Sequence, residues 1–424
     1  MRRRIVGVLL SGALAGVTLT VLGAGPASSA ITVSTEAAFR AAWGNAAETE
    51  ITLAADITLV NCGIGEADRN SATALTVLGN GHTIRQTCAG ARVLFQGGTG
   101  DLTFDGVTIT GATASGLAGG GVRTNGAVTL TNSTVTGNTA DSGGGISASG
   151  AFVTVTNSTV SANQAPSVFG NGGGIFAQGA VTLTNSTVSG NTANSAGGGV
   201  FANSSSTVTN STLSDNHSNT SVGGGMLVPN GDITLTNSTV SGNTASHLGG
   251  GVAALDVNLV YATVVGNTAP TGANIEILSF DSISAFGSVV ALPEGGGANC
   301  AFQPPPVTIS SGFNFSDDDS CGFTNTAQGD RQNAGDPGLG ALADNGGPTQ
   351  TRLPQPGSPL IDAIPSASCQ DDGAAGITAD QRGVTRPQQG GCDIGAVEVT
   401  PPPPPPPPPV PPPVPLIVTP TFTG

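Results

Sequence analysis

The chain has 424 residues with 12 basic and 27 acidic side chains, 9% charged, where a soluble domain ordinarily carries about 25%. Every basic residue is Arg, which excludes mechanisms built on a Schiff-base or phosphate-loop lysine, and a formal charge of −15 speaks against nucleic acid or an anionic membrane as partner. Glycine (65) and proline (29) are abundant and aromatics scarce, yet 38% apolar content argues for a folded protein built on something regular.

Arg2, Arg3 and Arg4 precede an apolar stretch from Ile5 to about Gly25, followed by the small residues of Pro26-Ala27-Ser28-Ser29-Ala30. This predicts a secretory signal over residues 1–30 and hence a secreted or cell-surface protein. The competing reading is an uncleaved anchor, which Ser11, Thr18, Thr20 and the internal glycines weaken. No transmembrane segment is expected after cleavage. Residues 31–50 are expected to form an N-terminal cap around a helix from Ser34 to Trp43, with Glu36 in its first turn and Phe39 and Trp43 on one face.

Internal self-similarity then dominates. Asn-Ser-Thr-Val begins at Asn132, Asn157, Asn185 and Asn237, with Asn-Ser-Thr-Leu at Asn210. Triple glycines begin at 119, 143, 172, 197, 223 and 249, and a further column holds Asn138, Asn163, Asn191, Asn216, Asn243 and Asn267. One unit of about 26 residues shows three short β-signals, as in Gly174–Ala177, Val181–Thr184 and Ser186–Ser189. That period fits one coil of a right-handed parallel β-helix, an all-β solenoid of the pectate-lyase-like kind, with coils about 4.8 Å apart. Degraded copies extend the helix over residues 51–294 and give about ten or eleven coils. Stacking also accounts for the low charge, because a charged column would face like charge in the coils above and below. Asparagine avoids this by donating to one neighbour and accepting from the other, and the Asn-Ser-Thr triplets are read as such a ladder rather than as glycosylation sites.

Six cysteines suit an exported protein: Cys62, Cys88, Cys300, Cys321, Cys369 and Cys392. They allow 15 connectivities. Pairing of sequence neighbours is the simplest, each bridge closing a loop worth about 3 kcal/mol. With His82, His217 and His247 as the only histidines, the spacings show no zinc pattern.

The phrase from Val188 to Val200, Val-Ser-Gly-Asn-Thr-Ala-Asn-Ser-Ala-Gly-Gly-Gly-Val, resembles the repeat of chlamydial polymorphic outer-membrane proteins, with Val for its phenylalanine and a third glycine for its alanine. More specific are Asp336-Pro337, Ala343-Asp344-Asn345-Gly346-Gly347-Pro348-Thr349, Gly357-Ser358-Pro359-Leu360-Ile361-Asp362, Asp380-Gln381-Arg382-Gly383 and Cys392-Asp393-Ile394-Gly395-Ala396. Residues 295–399 thereby resemble the choice-of-anchor Q domain, which implies a module following the β-helix of a secreted bacterial protein. This module is expected to close the far end. Residues 400–424 are a proline-rich tail whose polyproline geometry makes a stiff spacer.

The fold also hosts pectate lyases and polygalacturonases, so the carboxylates are candidate catalysts. No cation occurs between Arg123 and Arg331, and Asp141, Asp215, Asp232 and Asp256 are read as occupying four different positions of the unit. No catalytic, cofactor-binding or metal-binding residue is therefore assigned. Asp317-Asp318-Asp319, with Asp371, Asp372 and Asp380, is a calcium candidate set against a solvated loop, which is favoured. Arg382 and Arg386 beside Asp380 and Asp393 suggest an internal ion pair. The expected function is a non-catalytic secreted or surface scaffold, adhesive toward extracellular glycan or surface protein through variable loops such as Ala165–Asn171 and Ser218–Val222. A polysaccharide lyase or glycoside hydrolase is the alternative.

Overall fold

The computed structural model describes residues 30–150, 152–279, 281–302, 307–370 and 374–401. Residues 1–29 of the expected signal, the tail beyond Pro401, and Asp371 and Asp372 lie outside the described residues. Four parallel sheets wrap a common apolar core. Sheet 1 has twelve strands, from Ala30–Val33 to Val307–Gly312; sheet 2 has eleven, from Ile57–Leu59 to Phe315–Ser316; sheet 3 has ten, from Ala67–Arg69 to Cys300–Phe302. Coils are numbered here by their sheet 1 strand, from coil 1 (Glu50–Leu53) through coil 5 (Val153–Thr156) and coil 6 (Val181–Thr184) to coil 10 (Ser282–Phe286), with a partial turn at each end. The chain is thus an all-β parallel β-helix of about ten turns.

The sequence predicts three strands per unit, and coils 3 to 8 add a fourth. Segments such as Thr192–Ala193 pair into a six-stranded sheet 4. Strand lengths follow from the pattern: Val181-Thr182-Leu183-Thr184 alternates buried and half-buried, so its aliphatics fill the core and its threonines face outward. The solenoid strands continue to Ser316, past the boundary at 294 expected from the repeats.

The two asparagine columns play different parts, which corrects the ladder expected from the Asn-Ser-Thr triplets. Asn132, Asn157, Asn185, Asn210 and Asn237 have φ between 44° and 49° and turn the chain between sheets 1 and 2; Asn132 and Asn157 are exposed. Asparagine tolerates the left-handed region that most residues avoid. The following serine is the internal residue, and its hydroxyl accepts the backbone N–H of its counterpart one coil earlier, as Ser158 does from Ser133 at 2.9 Å. The continuous amide ladder is the other column. Asn138, Asn163, Asn191, Asn216, Asn243 and Asn267 are fully buried, and each Nδ2 donates to the next Oδ1, for example Asn163 to Asn191 and Asn191 to Asn216, both at 3.0 Å. Each of these oxygens also accepts the backbone N–H of the preceding asparagine.

Triple glycines let the coils pass over this ladder. At Gly197 φ is +66°, and a Cβ on Gly199 would come within 2.9 Å of the Asn216 amide and 2.5 Å of the Gly225 carbonyl oxygen.

A donating ladder needs an end that only accepts. After Asn274 and Asn299, the last Nδ2 donates to Asp317 Oδ1 at 2.6 Å and to Ser316 Oγ at 3.0 Å. The serine column is interrupted at Ala262, whose N–H donates to Ser288 Oγ, and then runs through Asn314 to Asp330. Asp318 accepts the Asn299 N–H and the Ser320 hydroxyl. Asp317 and Asp318 are therefore bonded into the last coils, which corrects the solvated loop favoured on sequence for these two, while Asp319 is exposed; among the described residues no group of three His, Cys, Asp or Glu could hold a metal.

At the other end, a helix over Glu36–Gly44 covers the first coils, with Phe39 and Trp43 buried beneath it. Thr35 caps it by accepting the Ala38 N–H. Buried Arg69 donates to the carbonyls of Trp43, Asn45, Glu48 and Thr73, taking up acceptors that the helix end leaves open. None of the described helices is long and apolar enough to cross a membrane. Disulfides join Cys62 to Cys88, Cys300 to Cys321 and Cys369 to Cys392. The first spans 26 residues, one repeat, so its cysteines stack in adjacent coils with Cα atoms 5.2 Å apart.

The C-terminal module does more than close the end: residues 335–399 fold back along the outer face of sheet 2. Ala396 N–H donates to Thr263 Oγ1, Gln381 bonds Thr212 and Thr239, and Thr349 reaches the Asn210 carbonyl. Outward residues of sheet 2 record the cover. Thr134, Thr159 and Thr187 in coils 4 to 6 are half-buried, whereas Thr212 and Thr239 in coils 7 and 8 are buried.

Candidate functional site

Four carboxylates within the repeats bear on catalysis. Asp141 lies on sheet 4 and accepts the Gly116 N–H, and Asp215 is exposed at a left-handed corner beyond sheet 2. Asp232 and Asp256 correct the expectation of four separate positions: each immediately precedes a sheet 1 strand, Ile233–Thr236 or Val257–Val260, and these strands pair in register. Both carboxylates accept from serines of a neighbouring coil, Asp232 from the Ser205 hydroxyl at 3.4 Å and Asp256 from the Ser282 hydroxyl and N–H. The fold-back also brings a cation into the stretch that lacks one in sequence. Arg352 donates to Ser241 Oγ at 2.8 Å and feels the charges of Glu294 and Asp215. The return of the module leaves one signal in the repeats. Outward positions of sheet 2 turn from Thr and Ser to Val265, Val289 and Ala291, and Tyr261 replaces the corner asparagine.

Arg382 and Arg386 make ion pairs inside the module. Arg382 meets Asp380 at 2.8 Å; Arg386 meets Glu398 at 2.8 Å, while the Asp393 carboxylate takes backbone N–H groups of Asp362 and Val399. These groups bind each other and leave little for a ligand.

Glu276 is the one strongly perturbed acid outside the module. It faces outward from sheet 3 yet is 3% exposed, and its Oε2 has no hydrogen-bond partner. Burial pushes its carboxyl up to about 7 from 4.5. Because the folded protein holds this proton more tightly than the unfolded chain, stability falls as pH rises from 4.5 through 7. Glu276→Gln should therefore raise stability at pH 8, by at most about 3 kcal/mol, and change it little at pH 4.5; denaturant titrations at the two pH values check this.

The loops expected to bind behave differently from each other. Ser218–Val222 is anchored at both ends, with Ser218 buried and Val222 packed in an apolar strip on the outside of sheet 3 with Ala196, Leu227 and Ala253, while Asn219 and Thr220 stay exposed. In the same strip Phe176 and Phe201 stack with ring centres 5.3 Å apart. Ala165–Asn171 instead stands out from coil 5, with Val168 71% and Phe169 84% exposed, and Phe152 at the other end of that coil is 56% exposed. Of the large apolar residues left exposed in the described chain, the rest lie near the ends, at Ile31, Val60, Ile64, Val307 and Ile309. Away from the ends of the solenoid, coil 5 is therefore where large apolar side chains stand exposed.

Residues 30–195 match the family model described as a pectate lyase-like adhesive domain. The matched stretch runs from the first strand into coil 6, contains the whole of coil 5, and stops before the coils whose outward threonines, Thr212 and Thr239, the C-terminal module buries. No curated protein and no solved structure matches the chain. The matched domain fits a non-catalytic adhesive β-helix scaffold.

Proposed function

We propose that this chain is an exported, non-catalytic adhesive scaffold that presents coil 5 to an extracellular glycan or surface protein. The observation that carries the reading is the pairing of an adhesive-type domain match with three exposed large apolar side chains, Phe152, Val168 and Phe169, in one coil of that domain. Exposed apolar groups on a polar rim are what a contact surface needs. On this reading residues 1–30 direct export, residues 295–399 form a choice-of-anchor Q-like module, and the proline-rich tail holds the solenoid away from its attachment point.

A binding screen of the purified chain against immobilised glycans and bacterial surface proteins tests the proposal. The double substitution Val168→Ser and Phe169→Ser should weaken the contact about tenfold or more while leaving the melting temperature unchanged, since both side chains are solvated in the free protein. Release of reducing ends or unsaturated products from a polysaccharide, with or without calcium, would overturn the non-catalytic reading in favour of a lyase or hydrolase.

A further inference from the structure

The outer face of sheet 1 is not used by the adhesive contact, and it is the most regular surface of the molecule. In coils 4 to 8 both outward positions of every strand are threonine, in two columns running from Thr129 to Thr234 and from Thr131 to Thr236. The pairing shows no register shift across these coils, so the columns are unbroken. All ten side chains reach solvent, and no hydroxyl among them bonds another protein group. Within coils 4 to 8 the face carries no charge in a chain of net −15, and Asp105, in register with Thr131, marks its edge in coil 3.

High β-propensity explains why threonine suits such a position but not why it fills all ten. The corresponding outward column of sheet 3 shows what this solenoid tolerates: Phe95, Arg123, Ser147, Phe176, Phe201 and Leu227 follow one another in register. Uniformity is thus a property of coils 4 to 8 in sheet 1, flanked by Asp105 on one side and Asn258 and Val260 on the other, and a uniform neutral grid fits a neutral partner that repeats in two dimensions. Threonines recur about every 4.8 Å along the axis and about 6.6 Å across it. The spacing along the axis lies close to the shorter repeat of oxygen rows in hexagonal ice, and with only two columns the longer repeat has to be bridged once, which the rotatable hydroxyls can do. Hydroxyls can join the hydrogen-bonded net while the methyls order the water between them. A single glycan chain repeats in one dimension only and gains most from aromatic platforms, which this grid lacks.

We propose that the threonine grid of sheet 1 binds ice. The loop Gly376–Asp380 stands beside Thr209 and Thr236, so the open part of the grid is centred on coils 4 to 6.

Ice shaping and inhibition of ice recrystallisation by the purified full chain test this directly. The wild type should facet ice crystals. Thr156→Lys with Thr182→Lys, which places charge in both columns, should reduce recrystallisation inhibition by about tenfold or more. Thr182→Tyr alone is the second disruption, should the double variant fail to fold. Gln178→Lys, exposed at the edge of sheet 3, should leave the effect intact. Round, unshaped crystals with the wild type, full activity in a folded grid variant, or an equal loss in Gln178→Lys would each overturn the proposal. Adhesion through Phe169 should be unaffected by the grid variants, which separates the two activities.

Discussion

Asn191→Ala is expected to destabilise the solenoid by about 3–5 kcal/mol, read as a shift of the denaturant midpoint. The side chain is fully buried. Its Oδ1 accepts both the backbone N–H and the Nδ2 of Asn163, and its Nδ2 donates to Asn216 Oδ1 and the Val160 carbonyl. Truncation leaves a buried backbone N–H and neighbouring amides without partners, and unmet buried donors cost more than the net value of the bonds. Asn191→Asp separates ladder chemistry from volume. A carboxylate cannot donate to Asn216 Oδ1, whereas a protonated acid can. The folded state therefore raises the acid's pKa, and the penalty should grow as pH climbs above the unfolded value of about 3.9. A penalty independent of pH would show that the ladder does not depend on donation.

Arg386→Leu is expected to release the fold-back module and cost about 3–5 kcal/mol, because removing one partner of a buried pair strands the other. Arg386 is fully buried in the module. It donates to Glu398 Oε2 at 2.8 Å and to the carbonyls of Asp393 and Gly395, and its guanidinium stacks 4.0 Å from the centre of the Tyr261 ring in coil 9. Tyr261 in turn donates its hydroxyl proton to the Cys369 carbonyl, so one arginine ties the solenoid corner to the module. Adding Glu398→Gln to Arg386→Leu should recover part of the loss, and limited proteolysis should then cut first within residues 335–399. If the double variant is no more stable than the single one, lost packing on Tyr261 outweighs the stranded carboxylate.

What the sequence shows is whatever stacking forces to repeat. A 26-residue period exposes the coil, the triple glycines its tight corner, and Phe39 and Trp43 the capping helix. The short sheet 4 was hidden because two-residue strands such as Thr192–Ala193 are too brief to alternate visibly. The two asparagine columns look alike in sequence, and only backbone geometry separates the left-handed corner at Asn185 from the buried rung at Asn191. The fold-back was least legible. Its contacts join residues about 110 to 170 apart, as Gln381 does with Ser211, so no local pattern marks them. Their trace was the change of outward residues in sheet 2 toward Val289 and Ala291. At the candidate site, composition identified the loop Ala165–Asn171, but the exposure of Phe152 depends on where coil 5 turns.

The aspartates at the end of the two inner columns have a consequence for how such a protein changes length. Each rung of the asparagine column both gives and takes, so a coil inserted or deleted in the middle hands the bonding on without altering either terminus. Only the last rung needs a residue that takes without giving, and Asp317 and Asp330 supply it once for the whole molecule. Gene duplication can therefore lengthen the rod one turn at a time, about 4.8 Å of reach per added unit, while the same terminator serves every length.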